Sequence, residues 1–280
     1  MLACTVRGCG QPLARHERTW TCARGHAYDT ARSGYVNLLQ PQDRKSSAAG
    51  DSKASVEARA RLLSRGVGRA LVDDVVRRSA AIADACRGPV PAVVDLGCGS
   101  GDVLGALARV RTIDAVGVDL STAAADLAAR RFPSLTWVVA NADRRLPLAD
   151  GSVDLVLSIH GRRHARECGR VLKPGGFLIA AVPAADDLVE IRERLHGTRL
   201  DRERVDALLA EHAPLFHLLE RGVVRERVRL DVESLRDLLR ATYRGARRSA
   251  SDRVDTLGPL DVTLASDVLV LRTERAGWAG

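Results

Sequence analysis

Aromatic side chains are scarce here, at 3% of 280 residues. A core packed to ordinary density must therefore be assembled from Leu, Val, Ala and Ile. Lysine is nearly missing as well: Lys45, Lys53 and Lys173 are the only three among 43 basic residues, so guanidinium groups carry the positive charge. No stretch approaches the ~20 apolar residues that cross a bilayer, which excludes a helical membrane span. The charged-then-apolar order of a secretory leader is missing at the N-terminus. A cytoplasmic protein with no membrane partner is the expectation. Cysteines number six. In a reducing compartment they do not pair as disulfides, and three of them fall within residues 4–22, which points to metal.

What is present suits a soluble α/β protein. Hydrophobic residues make up 46% of the chain and the formal net charge is +8. That balance fits a polyanionic partner, or simply an arginine-rich solvated surface. Cys4 and Cys9, then twelve residues, then Cys22 and His26 form two pairs of soft ligands. Three thiolates and one imidazole at such spacing suit tetrahedral zinc, and four protein ligands make a structural site. His16 competes with His26 for the fourth position. A segment this short buries little apolar surface, so the metal would hold it folded.

Three parts are expected. Residues 1–40 form the metal module, and 41–88 a polar loop and helical linker. Residues 89–280 form the main domain. Ser52 can cap a helix over 53–65 that Gly66 ends, and a second helix fills 69–86. Short apolar runs at 92–96, 115–119, 135–140, 153–159 and 177–182 read as buried strands. Helical stretches at 122–131 and 163–171 lie between them. Strands alternating with helices imply a mostly parallel sheet covered on both faces. Residues 186–254 read largely as helix, with an arginine-dense section, and 262–272 returns to strand.

The run Asp95-Leu96-Gly97-Cys98-Gly99-Ser100-Gly101 ends a strand and opens a helix. Glycines there let the backbone approach a ligand closely. Asp95 is placed to meet the amino-acid end of a zwitterionic ligand. Asp119, beside Leu120, ends the next strand, where a carboxylate can accept both hydroxyls of a ribose. Asn141 and Asp143 end the third, where a side-chain oxygen can take a hydrogen bond from an adenine amine. A nicotinamide-dinucleotide domain shares G-x-G, but Asp102 at the helix start would repel a pyrophosphate. Cys98 is a small residue between glycines rather than a nucleophile.

These marks, with Leu172-Lys173-Pro174-Gly175-Gly176, resemble those of class I methyltransferases over about residues 90–185. The resemblance implies a Rossmann-like domain with a seven-stranded sheet and S-adenosylmethionine as donor. The whole order of parts is similar to a narrower family, the bacterial 23S rRNA guanine-N1-methyltransferases. Its members open with such a zinc module, followed by phrases matching His26-Ala27-Tyr28-Asp29 and Gly34-Tyr35-Val36-Asn37-Leu38-Leu39. A polar loop ending in Gly50-Asp51-Ser52 comes next. Further on, Arg145-Leu146-Pro147-Leu148-Ala149-Asp150 also matches. The resemblance covers about residues 1–190 and implies ribosomal RNA as partner; a homodimer stays open.

Two places depart from that family. Its aromatic-Ala-Pro segment is replaced by Ile159-His160-Gly161-Arg162, and its Thr-Pro segment by Ala241-Thr242-Tyr243-Arg244-Gly245. Both fall on the acceptor side. His160 is the candidate catalytic residue, as a base or stacking partner, unless it only lines the cleft. Residues 221–253 hold ten arginines against five acids. Arg225, Arg227 and Arg229 would share one face if they lie on a strand, and could follow phosphates or simply pair with nearby acids. Two other functions stay open: a methyltransferase for another nucleotide or a small molecule, and a non-catalytic RNA-binding relative.

Overall fold

The computed structural model describes residues 1–41, 50–86, 88–196, 204–242 and 258–274. Tyr243, Arg244 and Gly245, with Arg247, Arg248 and Arg253, lie outside the described residues.

The chain opens with three short strands, β1 (Leu13–His16), β2 (Thr19–Cys22) and β3 (Ala27–Asp29), paired antiparallel in the order β1-β2-β3. A two-residue strand, β4 (Val36–Asn37), follows. Ser52 caps α1 (Lys53–Ser64) by accepting a 3.1 Å hydrogen bond from the Ser55 amide, a contact typically worth ~1 kcal/mol. Next come α2 (Arg69–Ala85), β5 (Ala92–Leu96), α3 (Asp102–Val110), β6 (Asp114–Asp119), α4 (Thr122–Arg131), β7 (Thr136–Val139), β8 (Val153–Ile159), α5 (Ala165–Val171) and β9 (Leu172–Pro183). The chain ends with α6 (Val189–His196), α7 (Val205–His212), β10 (Phe216–Leu230), α8 (Val232–Thr242) and β11 (Leu260–Thr273).

One eight-stranded sheet organises the molecule, in the order β10-β11-β9-β8-β5-β6-β7-β4. Seven of its strands come from residues 92–273, the number expected. The eighth, β4, arrives from the N-terminal module and pairs in parallel with β7. The Gly34-to-Leu39 phrase therefore contributes an edge strand: Val36 and Leu38 are buried, and the Leu38 amide donates to the Val139 carbonyl at 3.0 Å. The N-terminus also bonds to the 145–150 phrase, with the Ala3 amide on the Pro147 carbonyl at 2.9 Å. Leu2, Leu13, Val36 and Leu38 thus share one apolar cluster with Val138, Leu146 and Leu148.

The other face of the sheet packs against α2 and α3 around Trp137, the largest fully buried side chain. Its ring lies where a Cβ on Gly117 would stand, 2.3 Å away, so the neighbouring strand must carry glycine there. The Lys173-to-Gly176 motif is architectural. Lys173 Nζ donates to Asp154 at 2.8 Å, and the same carboxylate oxygen accepts the Ala92 amide at 2.8 Å, tying β8 to β5 and β9.

The reading of 186–254 as largely helical is corrected by β10. Residues 216–230 form a long antiparallel strand beside β11. Its Val223, Val224 and Val228 are β-branched, and its polar residues alternate with period two. The alternation of Arg225, Arg227 and Arg229 was the local sign of this strand. α8 packs on α1, where Arg61 makes two hydrogen bonds of 2.8 and 2.7 Å to the buried Asp237 carboxylate.

Candidate active site and metal centre

Strand order reverses direction between β5 and β8, the usual place for a ligand crevice beyond the carboxyl ends of parallel strands. A cleft of about 1140 Å³ opens there. Asp95, Gly97, Gly99, Asp119, Leu120, Asn141 and Asp143 all line one half, over β5, β6 and β7. His160 lines the other half, over β8, β9, β11 and β10, with Ser266 and Glu226.

Asp95 is buried, and burial together with the Asp119 charge pushes its carboxyl up to about 7. A cationic group placed beside it would draw the proton off. Asp119 is held by two backbone donors, the Gly99 amide at 2.9 Å and the Ser121 amide at 2.8 Å. Burial raises its pKa, and those two amides oppose the rise. One carboxylate thereby joins the glycine loop to the turn after β6, keeping further lone pairs for hydroxyl donors. Asn141 is buried, and its side-chain oxygen accepts the Asp143 amide at 2.9 Å. The Asp143 carboxylate pairs with Arg162 at 3.2 Å, linking the loops after β7 and β8. Cys98 is buried, and burial pushes its thiol well above the ordinary value, as suits a packing residue. Asp102 is engaged by Arg131 at 2.9 and 2.6 Å.

His160 sits at φ +54°, a conformation that costs a non-glycine residue energy and often marks functional sites. Gly161 follows because nothing larger fits: a Cβ there would stand 2.3 Å from the Leu96 carbonyl oxygen. The ring opens onto the cleft but is walled by protein. That desolvation, with the positive charges of Arg59 and Arg204, lowers its pKa to about 4. A neutral imidazole results, with Nε2 2.9 Å from the Ser266 hydroxyl.

Arg59, Asp51 and Ser266 are among the cleft residues that escaped sequence reasoning. Arg59 of α1 donates to Asp51 at 3.3 Å and to the Ala241 carbonyl at 2.7 Å, and its guanidinium lies over Gly99. Asp51 meets the Ser121 hydroxyl through its carbonyl. The Gly50-Asp51-Ser52 phrase was the available signal, since it belongs to no helix or strand yet marks the family resemblance. Ser266 carried no signal at all.

Cys4, Cys9, Cys22 and His26 converge, with all four ligand atoms within 4.8 Å of one another. The Cys9 and Cys22 sulfurs are 3.8 Å apart, and the Cys4 and Cys22 sulfurs lie 3.4 and 3.5 Å from His26 Nδ1. A tetrahedron with Zn–S of about 2.3 Å and Zn–N of about 2.0–2.1 Å has edges of about 3.8 and 3.5 Å, so the donor set fits zinc. His16 is exposed at the end of β1 and takes no part. The Tyr28 hydroxyl lies 3.2 Å from the Cys4 sulfur, a supporting contact of the kind that orients ligands.

Comparison with known proteins agrees with both halves of this geometry. Residues 94–180 match the methyltransferase-domain family, and residues 3–48 match the family described as RlmA, N-terminal, a zinc ribbon. The chain is 34% identical over 228 residues to the 23S rRNA (guanine(748)-N(1))-methyltransferase of Streptomyces fradiae, covering 81% of this chain and 80% of that one. The chain belongs to the 23S rRNA guanine-N1-methyltransferase family. It is an S-adenosylmethionine-dependent methyltransferase carrying a zinc ribbon. YxjB of Bacillus subtilis, named for the same 23S rRNA guanine-N1 reaction, is 32% identical over 261 residues, 88% of each chain. Among solved structures, the YcgJ protein of Bacillus subtilis superposes with a TM-score of 0.53 at 16% identity. That match covers 73% of this chain and 100% of the other, and shows the fold. Among the described residues no helix is long and apolar enough to cross a membrane.

Proposed function

We propose that this protein transfers a methyl group to N1 of a guanine in 23S rRNA. The observation that carries the reading is the 34% identity to the Streptomyces fradiae enzyme over four-fifths of both chains. The net charge of +8 supports it, since ribosomal RNA is a polyanion.

S-adenosylmethionine supplies an already activated methyl on its sulfonium, so the protein's work is chiefly alignment and proton removal. In this reading Asp95 faces the donor's ammonium and Asp119, with Leu120 beside it, takes the ribose. Gly97 and Gly99 give the backbone room for close approach, and Asn141 and Asp143 bound the adenine. Cys4, Cys9, Cys22 and His26 hold one structural zinc. His160, neutral and anchored on Ser266, contacts the target base. A pKa of about 4 makes its imidazole a weak proton acceptor, so it orients the base.

The direct test is transfer of labelled methyl onto 23S rRNA from cells lacking the protein, followed by mapping of the modified nucleotide. Label at guanine N1 is the expected result. Label confined to another nucleotide would overturn the guanine-N1 assignment, and RNA that stays unlabelled would overturn the acceptor class.

A further inference from the structure

The cleft contains a carboxylate that neither the donor nor the fold uses. Glu226 lies on β10, opposite Leu264 of β11, and two residues along from Val224, which faces Ser266. Residues opposite one another in an antiparallel pair point to the same side of the sheet, and diagonal neighbours stay within reach of long side chains. Glu226 therefore shares a face with Ser266, whose hydroxyl is bonded to His160. Burial along β10 alternates accordingly. Arg225, Arg227 and Arg229 are exposed, while Val224, Glu226 and Val228 are half-buried. Strand periodicity turns the neighbouring arginines to the outer face, leaving Glu226 without the counterions that sequence proximity would suggest.

Its Oε2 is fully buried and has no hydrogen-bond partner among the described residues. A buried carboxylate oxygen without a donor opposes folding, and a catalytic role is one reason such a group is kept. The other described acid lining this half of the cleft, Asp187, is tied to the sheet through one of its oxygens. Its Oδ1 accepts the Ala265 amide at 2.9 Å and so holds β11 in place.

We infer that Glu226 is the acceptor-side carboxylate that reads the guanine edge and takes the N1 proton. This rests on the guanine-N1 reading above. The Watson–Crick edge of guanine offers two adjacent donors, N1–H and the N2 amine, and one carboxylate can accept both. His160 Nε2 is already engaged with the Ser266 hydroxyl, whereas Glu226 has an oxygen free to accept from the guanine edge. During transfer the N1–C bond forms as the S–C bond breaks, and the S–C electron pair stays on sulfur, leaving a neutral thioether. The N1 proton passes to the Glu226 carboxylate and then to solvent.

The test uses the full-length zinc-bearing protein and a short RNA carrying either guanine or inosine at the mapped position. Inosine keeps N1–H and lacks the 2-amine. Glu226→Gln should lower kcat on guanine by about 100-fold, the scale of a lost general base, with donor affinity within about twofold of wild type. The wild type should prefer guanine over inosine by roughly 10-fold or more, and the variant should lose that preference. Turnover by the variant within a few-fold of wild type overturns the inference while leaving guanine methylation standing. A wild type indifferent to the 2-amine also overturns it, even if the variant does not fold. A wild type that labels no RNA overturns the underlying reading instead.

Discussion

The Ser121 hydroxyl donates to the Asp51 carbonyl across 2.6 Å, fastening the loop before α1 to the turn that carries Asp119. Ser121 also caps α4 by accepting the Ala124 amide, so one side chain joins the N-terminal segment to the donor half of the cleft. Gly50 makes the approach feasible. Its φ is +90°, and an added Cβ would lie 2.6 Å from the Ser121 nitrogen.

Gly50→Ala should therefore weaken donor binding without touching any expected donor ligand. The left-handed backbone alone costs an L residue about 1–2 kcal/mol, and the backbone collision adds to that, so a loss of roughly tenfold or more is expected. Titration calorimetry with S-adenosylmethionine reads it. An affinity within twofold of wild type would show that the loop's seating is independent of the donor site.

Asp119→Ala should weaken donor binding by about 1.5–3 kcal/mol, the range for charge-assisted hydrogen bonds. The loss has two sources: the ribose contacts and the orphaned amides of Gly99 and Ser121, which the carboxylate now satisfies. Unchanged affinity in the same titration would remove Asp119 from the ribose assignment.

Asp95 gives a pH signature. Its folded pKa of about 7 lies above the ordinary carboxylate value, so between about pH 4 and pH 7 the folded protein holds a proton that the unfolded chain has released. The stability associated with that proton is complete below about pH 4 and is lost as pH rises through about 7. Donor binding runs the other way, because the ammonium group favours the ionised carboxylate. Affinity should climb from about pH 5 to about pH 7 and then level off. Calorimetry at pH 6 in buffers of different ionisation enthalpy should show proton release on binding. Asp95→Asn should abolish that release; a release that persists in the variant would put the proton elsewhere.

Much of the donor side was legible because the residues expected to hold the donor sit at or near strand ends, where sequence periodicity locates them. Asp95, Asp119 and Asn141 lie at or next to the ends of apolar runs, and all three line the cleft. The acceptor half was not legible in the same way. Ser266 and Glu226 reach the cleft only through antiparallel pairing of β10 with β11, a contact between distant segments that no local pattern encodes. The helical expectation for residues 216–230 hid Glu226 further, since on a helix it would not share a face with the strand-paired Ser266. Zinc-ligand identity was half open in the sequence, and only folding separated His26 from His16.

Elemental analysis of untagged protein should find one zinc per chain, and Cys22→Ser should lose it. The consequence should not stay local. Leu2, Leu13, Val36 and Leu38 pack in the same cluster as Val138 and Leu148, and β4 covers the edge of β7. Loss of the metal should thus lower the melting temperature of the whole chain and loosen the sheet edge beside the donor half. A variant that lacks zinc but melts as wild type would show that the ribbon's metal contributes nothing to the shared core.

The outer face of β10 makes the last prediction, and its ion pairs set the order of effects. Arg225 is bonded to Asp186 at 2.8 Å and Arg229 pairs with Asp261 at 3.3 Å. Arg227 has no carboxylate within ion-pair distance among the described residues. An arginine that is already paired must exchange a carboxylate for a phosphate, so it gains less from RNA than one facing water. If this face follows the RNA backbone, Arg227→Ala should flatten the slope of log affinity against log salt by about 0.7–0.9, one phosphate contact, with smaller changes for Arg225→Ala or Arg229→Ala. Asp186→Ala should act in the opposite direction, freeing Arg225 and strengthening binding at low salt. Donor affinity should be unaffected in all four, since none of these side chains is among those expected to hold the donor. Filter binding of a 23S rRNA fragment across a salt series decides it. Equal slopes for wild type and the Arg227 variant would assign this arginine stripe to solvent and local carboxylates, and would direct the search for the RNA track to another face.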